Sequence, residues 1–410
     1  MSVDRMTSAV PPAAGRVAIM GIRGVPAAHG GFETFAARLA PWLAERGWDV
    51  TVYCQEDAAC ETHESRWKGV RRVHIGVGPD TAVNSMKFDW ACISHALQPG
   101  ERPPLVLTLG YNTASFGVRL RAAGIANVIN MDGIEWSRRK WSAPARAWLY
   151  LNDWAGCLTG SHLIADHPEI ARHLASRVPR RKISVIPYGT DLVAHADAAP
   201  LAPLGLAPGR FLTVIARPEP ENSVLEIVRA FSARPRGVKL AVLGRFKPDE
   251  VPYHAKVLAA AGPEVVFPGP IYDADVLHAL RLHGLAYLHG HQAGGTNPSL
   301  LEAMGAGNAV VAHDNRFNRW VAGEGALYFA DEAGCERAVS ALLADSARRA
   351  RMGQANRERA DTRFNWPLVL AQYEMTMAAL HARATGQSDA PAPPLAGRIE
   401  VTATAEMDVT

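Results

Sequence analysis

The sequence predicts an α/β protein built from two doubly wound, parallel-sheet domains in tandem. Three observations carry that expectation. Short apolar, β-branched runs alternate with amphipathic stretches, the pattern of strands joined by covering helices. The alternation occurs twice, in two series separated by the Pro-, Ala- and Gly-rich run 194–209. Glycine-rich turns open helices in both series, at 21–34 and 294–304.

In the first series strands are expected over 17–22, 49–54, 105–109, 127–131, 157–160 and 183–187, with a helix over 32–46. In the second they are expected near 211–216, 239–243, 285–288 and 309–312, with helices between. The domains are then 16–193 and 210–366, joined by a linker at 194–209. A last helical stretch, 367–385, is a candidate to return and brace the first domain. Residues 1–15 and 386–410 are Pro-, Ala- and Thr-rich without periodicity and read as disordered tails. Two such domains place a ligand cleft between the carboxyl ends of their strands.

Two domains also suit 410 residues at roughly 100–200 per domain. A chain that is 48% hydrophobic and 20% charged can fill ordinary globular cores. A net charge of +3 lacks the field of a dedicated nucleic-acid binder. Cys54, Cys60, Cys92, Cys157 and Cys335 are scattered, with no CxxC pair and no metal-ligand spacing, and read as buried free thiols in a reducing cytosol. No stretch has the composition of a signal peptide or of a membrane span. The expected location is cytoplasmic, or at most on the inner face of the cell membrane.

Residues 294–304 (GGTNPSLLEAM) read as a glycine loop feeding a helix start. Asn297 suits the cap and Pro298 the first helical position, where its missing N–H would be unpaired anyway. The amides of Ser299, Leu300 and Leu301 are then expected to point free from the N-terminus. With the positive end of the helix dipole they would hold a phosphate. Glu302 shares that side of the first turn with Ser299, and its carboxylate could accept hydrogen bonds from a ribose diol. An ordinary capped helix with an exposed glutamate fits the segment equally.

Residues 21–34 (GIRGVPAAHGGFET) form a turn that tolerates close backbone approach and runs directly into a helix. The GxGxxG fingerprint is absent, which speaks against a nicotinamide enzyme. Gly30 and Gly31 stand at the helix start, where their amides could meet a diphosphate. A tight strand-to-helix turn that needs glycine for its dihedrals is the other reading.

To these loops are added Asp132-Gly133-Ile134-Glu135-Trp136, Ile186-Pro187-Tyr188-Gly189-Thr190-Asp191 and Arg217-Pro218-Glu219-Pro220-Glu221-Asn222. Together they resemble, over about residues 16–385, a GT-B glycosyltransferase of the retaining family 4 type. The nearest likeness is to the bacterial subgroup with a rhamnosyltransferase-like N-terminal domain. The resemblance implies a nucleotide-sugar in the C-terminal domain and transfer that needs no metal and no cofactor. It implies that Glu302 holds the ribose and that Gly295, Thr296, Asn297, Ser299 and Leu300 cradle the phosphates, while Arg217 pairs with the diphosphate. Two positions depart from the wider family: its first glutamate falls on Gly294, and its phosphate-binding lysine on Asn222. The subgroup shares both changes. A 6-deoxy sugar presents one hydroxyl fewer, which fits a lost carboxylate, so the expected donor is dTDP-rhamnose. The expected acceptor is a glycan or polyprenyl-linked saccharide in surface-polysaccharide assembly.

Departure of a nucleoside diphosphate builds negative charge on the leaving group, so donors aimed at the diphosphate should bear most of the catalysis. Arg217 is the leading candidate because a guanidinium is permanently charged and binds phosphate bidentately; a plain surface arginine is the alternative. Asp132 could orient or deprotonate the acceptor hydroxyl, or simply cap a turn; Glu135 follows it as a lesser candidate. His29, His289 or His291 could touch the sugar, although among 15 histidines a structural role is the plainer expectation.

Trp136, Arg138, Trp141, Arg146, Trp148 and Trp154 interleave rings with cations, which suits an anionic membrane surface and equally a helix that buries its tryptophans. Two further function classes stand beside sugar transfer. A sugar-nucleotide epimerase would share the architecture, and a non-catalytic nucleotide-sugar binder is kept open by Gly294.

Overall fold

The computed structural model describes residues 15–27, 30–58, 60–79, 81–138 and 140–387. Its first eight strands are Arg16–Met20 (β1), Asp49–Glu56 (β2), His63–Trp67 (β3), Val70–Gly76 (β4), Leu105–Leu109 (β5), Ala126–Asn130 (β6), His162–Ala165 (β7) and Ile183–Val185 (β8). Six more follow: Phe211–Ile215 (β9), Lys239–Leu243 (β10), Val265–Gly269 (β11), Tyr287–His289 (β12), Val310–His313 (β13) and Ala326–Phe329 (β14). They form one sheet of order β3-β4-β2-β1-β5-β6-β7-β8 and another of order β11-β10-β9-β12-β13-β14. Both are parallel, apart from the antiparallel edge pair β3–β4. The order in which strands are added reverses between β1 and β5 in the first sheet and between β9 and β12 in the second, which are the switch points where such sheets bind ligands.

Parallel strands covered by helices on both faces must be apolar at consecutive positions. β1 and β5 comply: Val17–Met20 and Leu105–Leu107 are all buried. A core of Leu212, Val214, Ile227, Val228, Phe231, Leu240 and Val242 backs the second sheet against the helix Val224–Ser232.

The chain divides into two compact units. The first comprises the described residues of Met1–Asp132, Pro144–Ile186 and Ala371–Thr410, and the second comprises Gly133–Ala143 and Pro187–Leu370. The division therefore falls at Pro187 rather than at 194, and 133–143 goes with the second unit. The helix Trp366–Ala384 passes to the first unit at Ala371. There Tyr373 accepts a hydrogen bond at 2.7 Å from Asn130 Nδ2, and Glu374 accepts one at 2.9 Å from Trp42 Nε1.

Three expectations need correction. Residues 157–160 end the helix Ala143–Thr159 and are not a strand; Thr159 Oγ1 donates to Ala155 O within it. The run 194–209 is not a free linker, because Leu201 and Leu206 are buried in a core with Phe211, Ala279 and Leu280. Cys60 is exposed rather than buried. The polar strands of the β3–β4 hairpin and the strands β7, β11 and β14 escaped the sequence reading. The expected tails, except residues 15, 386 and 387, and His29 lie outside the described residues.

Candidate functional site

The loops that leave β9 and β12 flank the switch point of the second sheet and are fastened to each other. Gln292 N donates to Glu221 O at 2.9 Å, and Gln292 Nε2 donates to Ser223 Oγ at 3.0 Å. Arg217 leaves the end of β9 with its side chain exposed and in no hydrogen bond or ion pair among the described residues. Asn222 is turned into the protein. It is buried, and its Nδ2 donates to Arg217 O at 2.8 Å, so it braces the backbone that presents the arginine.

The helix start is capped more completely than expected. Asn297 Oδ1 accepts from Ser299 N at 3.1 Å and from Ser299 Oγ at 2.8 Å. Asn297 O accepts from the amides of both Leu300 and Leu301 at 3.2 Å. The three amides expected to be free for a phosphate are thus engaged, because one asparagine serves them with both its side chain and its carbonyl. Thr296 is buried, and its Oγ1 accepts from Tyr188 N at 2.8 Å. The Tyr287 hydroxyl lies 2.8 Å from Ser299 Oγ and 3.1 Å from Ile215 O, two acceptors for its one proton, and so ties β12 to β9.

Glu302 forms an ion pair with Arg281, whose side chain is only 6% exposed against 39% for the glutamate. Burial raises its carboxyl above the ordinary value, and Arg281 opposes the rise. Gly294 has φ +135, and nothing lies within 4 Å of the place a Cβ would occupy. There is room for a side chain, and the backbone conformation is what selects glycine.

In the first unit Gly30, with φ +46, precedes the helix Gly31–Glu45, where Gly31 is its first residue. Gly30 O accepts from Thr34 Oγ1 at 3.1 Å, and Glu33 Oε1 accepts from Arg23 N at 3.2 Å. The dihedral requirement at Gly30 is therefore real. Asp132 follows β6 with φ +50, and its amide donates to Asn130 Oδ1 at 2.9 Å. Gly30, Gly31 and Asp132 thus belong to one unit, and Arg217, Asn222, Gly295, Thr296, Asn297, Ser299, Leu300 and Glu302 to the other.

The sequence reading missed a cavity of about 580 Å³ in the second unit, lined by Ser137, Arg138, Lys140, Glu219, Pro220, Glu221, Gln292 and Ala293. Arg138 pairs there with Glu221 and, at 2.5 Å, with Glu135. Burial pushes Glu135 upward, but Arg138, Lys140 and the Trp141 indole outweigh it and hold the carboxyl below its usual range. Glu135 is thus the centre of a structural cluster. The mixture of cations and carboxylates was the available signal.

His289 is fully buried, and His291 stacks on it with ring centroids 4.4 Å apart. Burial lowers His289 well below the normal range and takes His291 down to about 3, with Arg138 and Arg217 adding to the second shift. An unfolded histidine gains its proton near pH 6.5, whereas these remain neutral when folded. Their stabilisation is present above that value and is lost as pH falls toward the folded value, by about 1.4 kcal/mol per histidine per pH unit. Urea unfolding of the second unit should therefore show a lower midpoint at pH 5.5 than at pH 7; equal midpoints would contradict the neutral assignment.

Two family models match parts of the chain. Residues 14–191 match a domain of unknown function, DUF1972, and residues 223–374 match the model described as glycosyl transferase-like. No curated protein matches the chain. Among solved structures, sucrose-phosphate synthase from Thermosynechococcus elongatus aligns with a TM-score of 0.77 at 19% identity, over 90% of this chain and 100% of that one. Anabaena HepE in complex with UDP aligns at 0.68 and 15%, over 88% and 98%. The α,α-trehalose 6-phosphate synthase from Burkholderia multivorans aligns at 0.68 and 13%, over 92% and 98%. With its two parallel-sheet α/β units, the chain has the GT-B fold, and it carries a glycosyl transferase-like region over residues 223–374.

Proposed function

We propose that the chain is a retaining glycosyltransferase that moves a sugar from a nucleotide-sugar to a glycan or polyprenyl-linked acceptor. The observation that carries this reading is the guanidinium of Arg217, exposed and without an ion pair among the described residues, at the switch point of the second sheet on a loop braced by Asn222. The glycosyl transferase-like match over 223–374 and the UDP held by the similar HepE support it. In the proposed reaction the bond from the anomeric carbon to the diphosphate breaks, and the acceptor oxygen bonds to the same face of that carbon. The acceptor proton passes to the departing diphosphate. Arg217 binds the diphosphate as its charge grows, and Asp132 orients the acceptor hydroxyl. Residues 295–297 contact the donor, with Gly30 and Gly31 at the acceptor domain's loop. No metal and no cofactor enter this scheme.

The proposed donor is dTDP-rhamnose, for surface-polysaccharide assembly, because Gly294 leaves open the place of the family carboxylate. Incubation with dTDP-rhamnose and polyprenyl diphosphate-linked saccharides tests it. Release of dTDP only with acceptor present is expected. Conversion to another nucleotide-sugar without acceptor would point to an epimerase, binding with no transfer to a plain binder, and tighter binding of dTDP-glucose than of dTDP-rhamnose would overturn the donor.

A peripheral membrane site is the second part of the proposal. The helix Ala143–Thr159 buries Leu149, Asn152, Asp153, Gly156 and Cys157 and turns Trp148, Tyr150, Leu151, Trp154 and Leu158 to the surface. Arg177 lies 4.5 Å over the Trp154 ring. The Arg177 side chain is itself buried against Asp153, and the exposed cation of this helix is Arg146, one turn before Tyr150; exposed rings beside such a cation match the boundary of an anionic bilayer. No helix among the described residues is long and apolar enough to cross a membrane. The protein should co-float with anionic vesicles at low salt and lose that association in Leu151→Glu/Leu158→Glu; failure to float would remove this part of the proposal.

A further inference from the structure

The β3–β4 hairpin, which the donor chemistry does not use, gathers three metal-ligating side chains at the edge of the first sheet. His63 and His74 are directly opposite each other across the antiparallel pair, and their rings stack at 4.6 Å with planes 7° apart. β2 runs parallel to β4 and brings Glu56 alongside, with Glu56 Oε1 2.6 Å from His74 Nδ1. One ligand atom from each of the three lies within 4.8 Å of the others. Tetrahedral zinc with bonds of about 2.0–2.1 Å sets its ligand atoms about 3.4 Å apart, so the wider separations need to close by about 1.4 Å or less, the 2.6 Å Glu56–His74 contact needs to open by about 0.8 Å, and the stacked rings need to turn toward a common point.

The partners of the other ring nitrogens favour that closure. Ser65 Oγ is 2.7 Å from His74 Nε2 and can accept from Nε2–H once Nδ1 is given to a metal. Glu61 O lies 3.3 Å from His63 Nδ1 and accepts from it, leaving Nε2 as the donor atom. A metal-binding imidazole commonly has its second nitrogen fixed in this way, which sets both tautomer and ring direction. Two imidazoles and one carboxylate, with a solvent-facing fourth position, are a ligand set that zinc takes.

We propose that Glu56, His63 and His74 form a binding site for a divalent zinc-type cation on the outer hairpin of the first unit, separate from the sugar-transfer residues. The full chain carrying Cys60→Ser, which removes the nearby exposed thiol, is titrated with zinc chloride by calorimetry. One saturable site is expected, weakened at least tenfold by His63→Ala and by Glu56→Gln, and about 10- to 100-fold by Ser65→Ala. His63 is exposed, so its variant should keep the far-UV circular dichroism of the parent. Absence of saturable binding, or unchanged affinity in a folded His63→Ala, would overturn the site.

Discussion

Arg217→Ala is expected to lower the rate of sugar transfer about 100- to 1000-fold, the usual cost of losing a charge-stabilising donor in the transition state. The melting temperature should hardly move, because the Arg217 side chain is exposed and makes no ion pair among the described residues. Arg217→Lys keeps the charge but loses the planar fork, so it should recover only part of the rate. Steady-state kinetics beside thermal unfolding separate the two effects. A full-rate Arg217→Ala enzyme would remove this residue from the chemistry.

Glu302→Ala should destabilise the second unit by about 3 kcal/mol, because it strands the buried Arg281 guanidinium. Arg281 Nε already lacks a hydrogen-bond partner, which leaves that charge little to fall back on. For a unit of this size the loss corresponds to a melting temperature lower by about 6–12 °C. Replacing both partners, as Arg281→Met/Glu302→Gln, removes the stranded charge and should restore most of the stability. If the double variant melts normally and still fails to bind nucleotide, Glu302 acts on the ligand directly. If single and double variants melt alike, the ion pair contributes little.

The fold was legible where burial made the strands uniformly apolar. β5 at 105–109 and β10 at 239–243 fall where Leu- and Val-rich runs placed them. It was illegible where strands are short or polar: β3 reads HESRW, and nothing in that string declares an edge strand. The end of the helix Ala143–Thr159 was mistaken for a strand because its last turn happens to carry an apolar run. In the site, the helix start at Pro298 and its Asn297 cap follow from local chemistry, and both were readable. That Arg281 would claim Glu302 depends on a three-dimensional neighbour that spacing does not reveal, whereas Asn297 O takes the Leu300 and Leu301 amides as the first-turn bonds of the helix itself. The His63–His74 pairing was hidden for the same reason, since it exists only once β3 and β4 are in register.

Calorimetric titration of the whole protein and of Arg217→Ala with dTDP, dTDP-rhamnose, UDP- and GDP-sugars tests the central claim most directly. The account predicts saturable binding of dTDP-rhamnose to the native protein, weakened in Arg217→Ala without loss of fold. Preference for a UDP- or GDP-sugar would keep sugar transfer and replace the donor. No binding of any nucleotide or nucleotide-sugar to the folded protein would contradict the account.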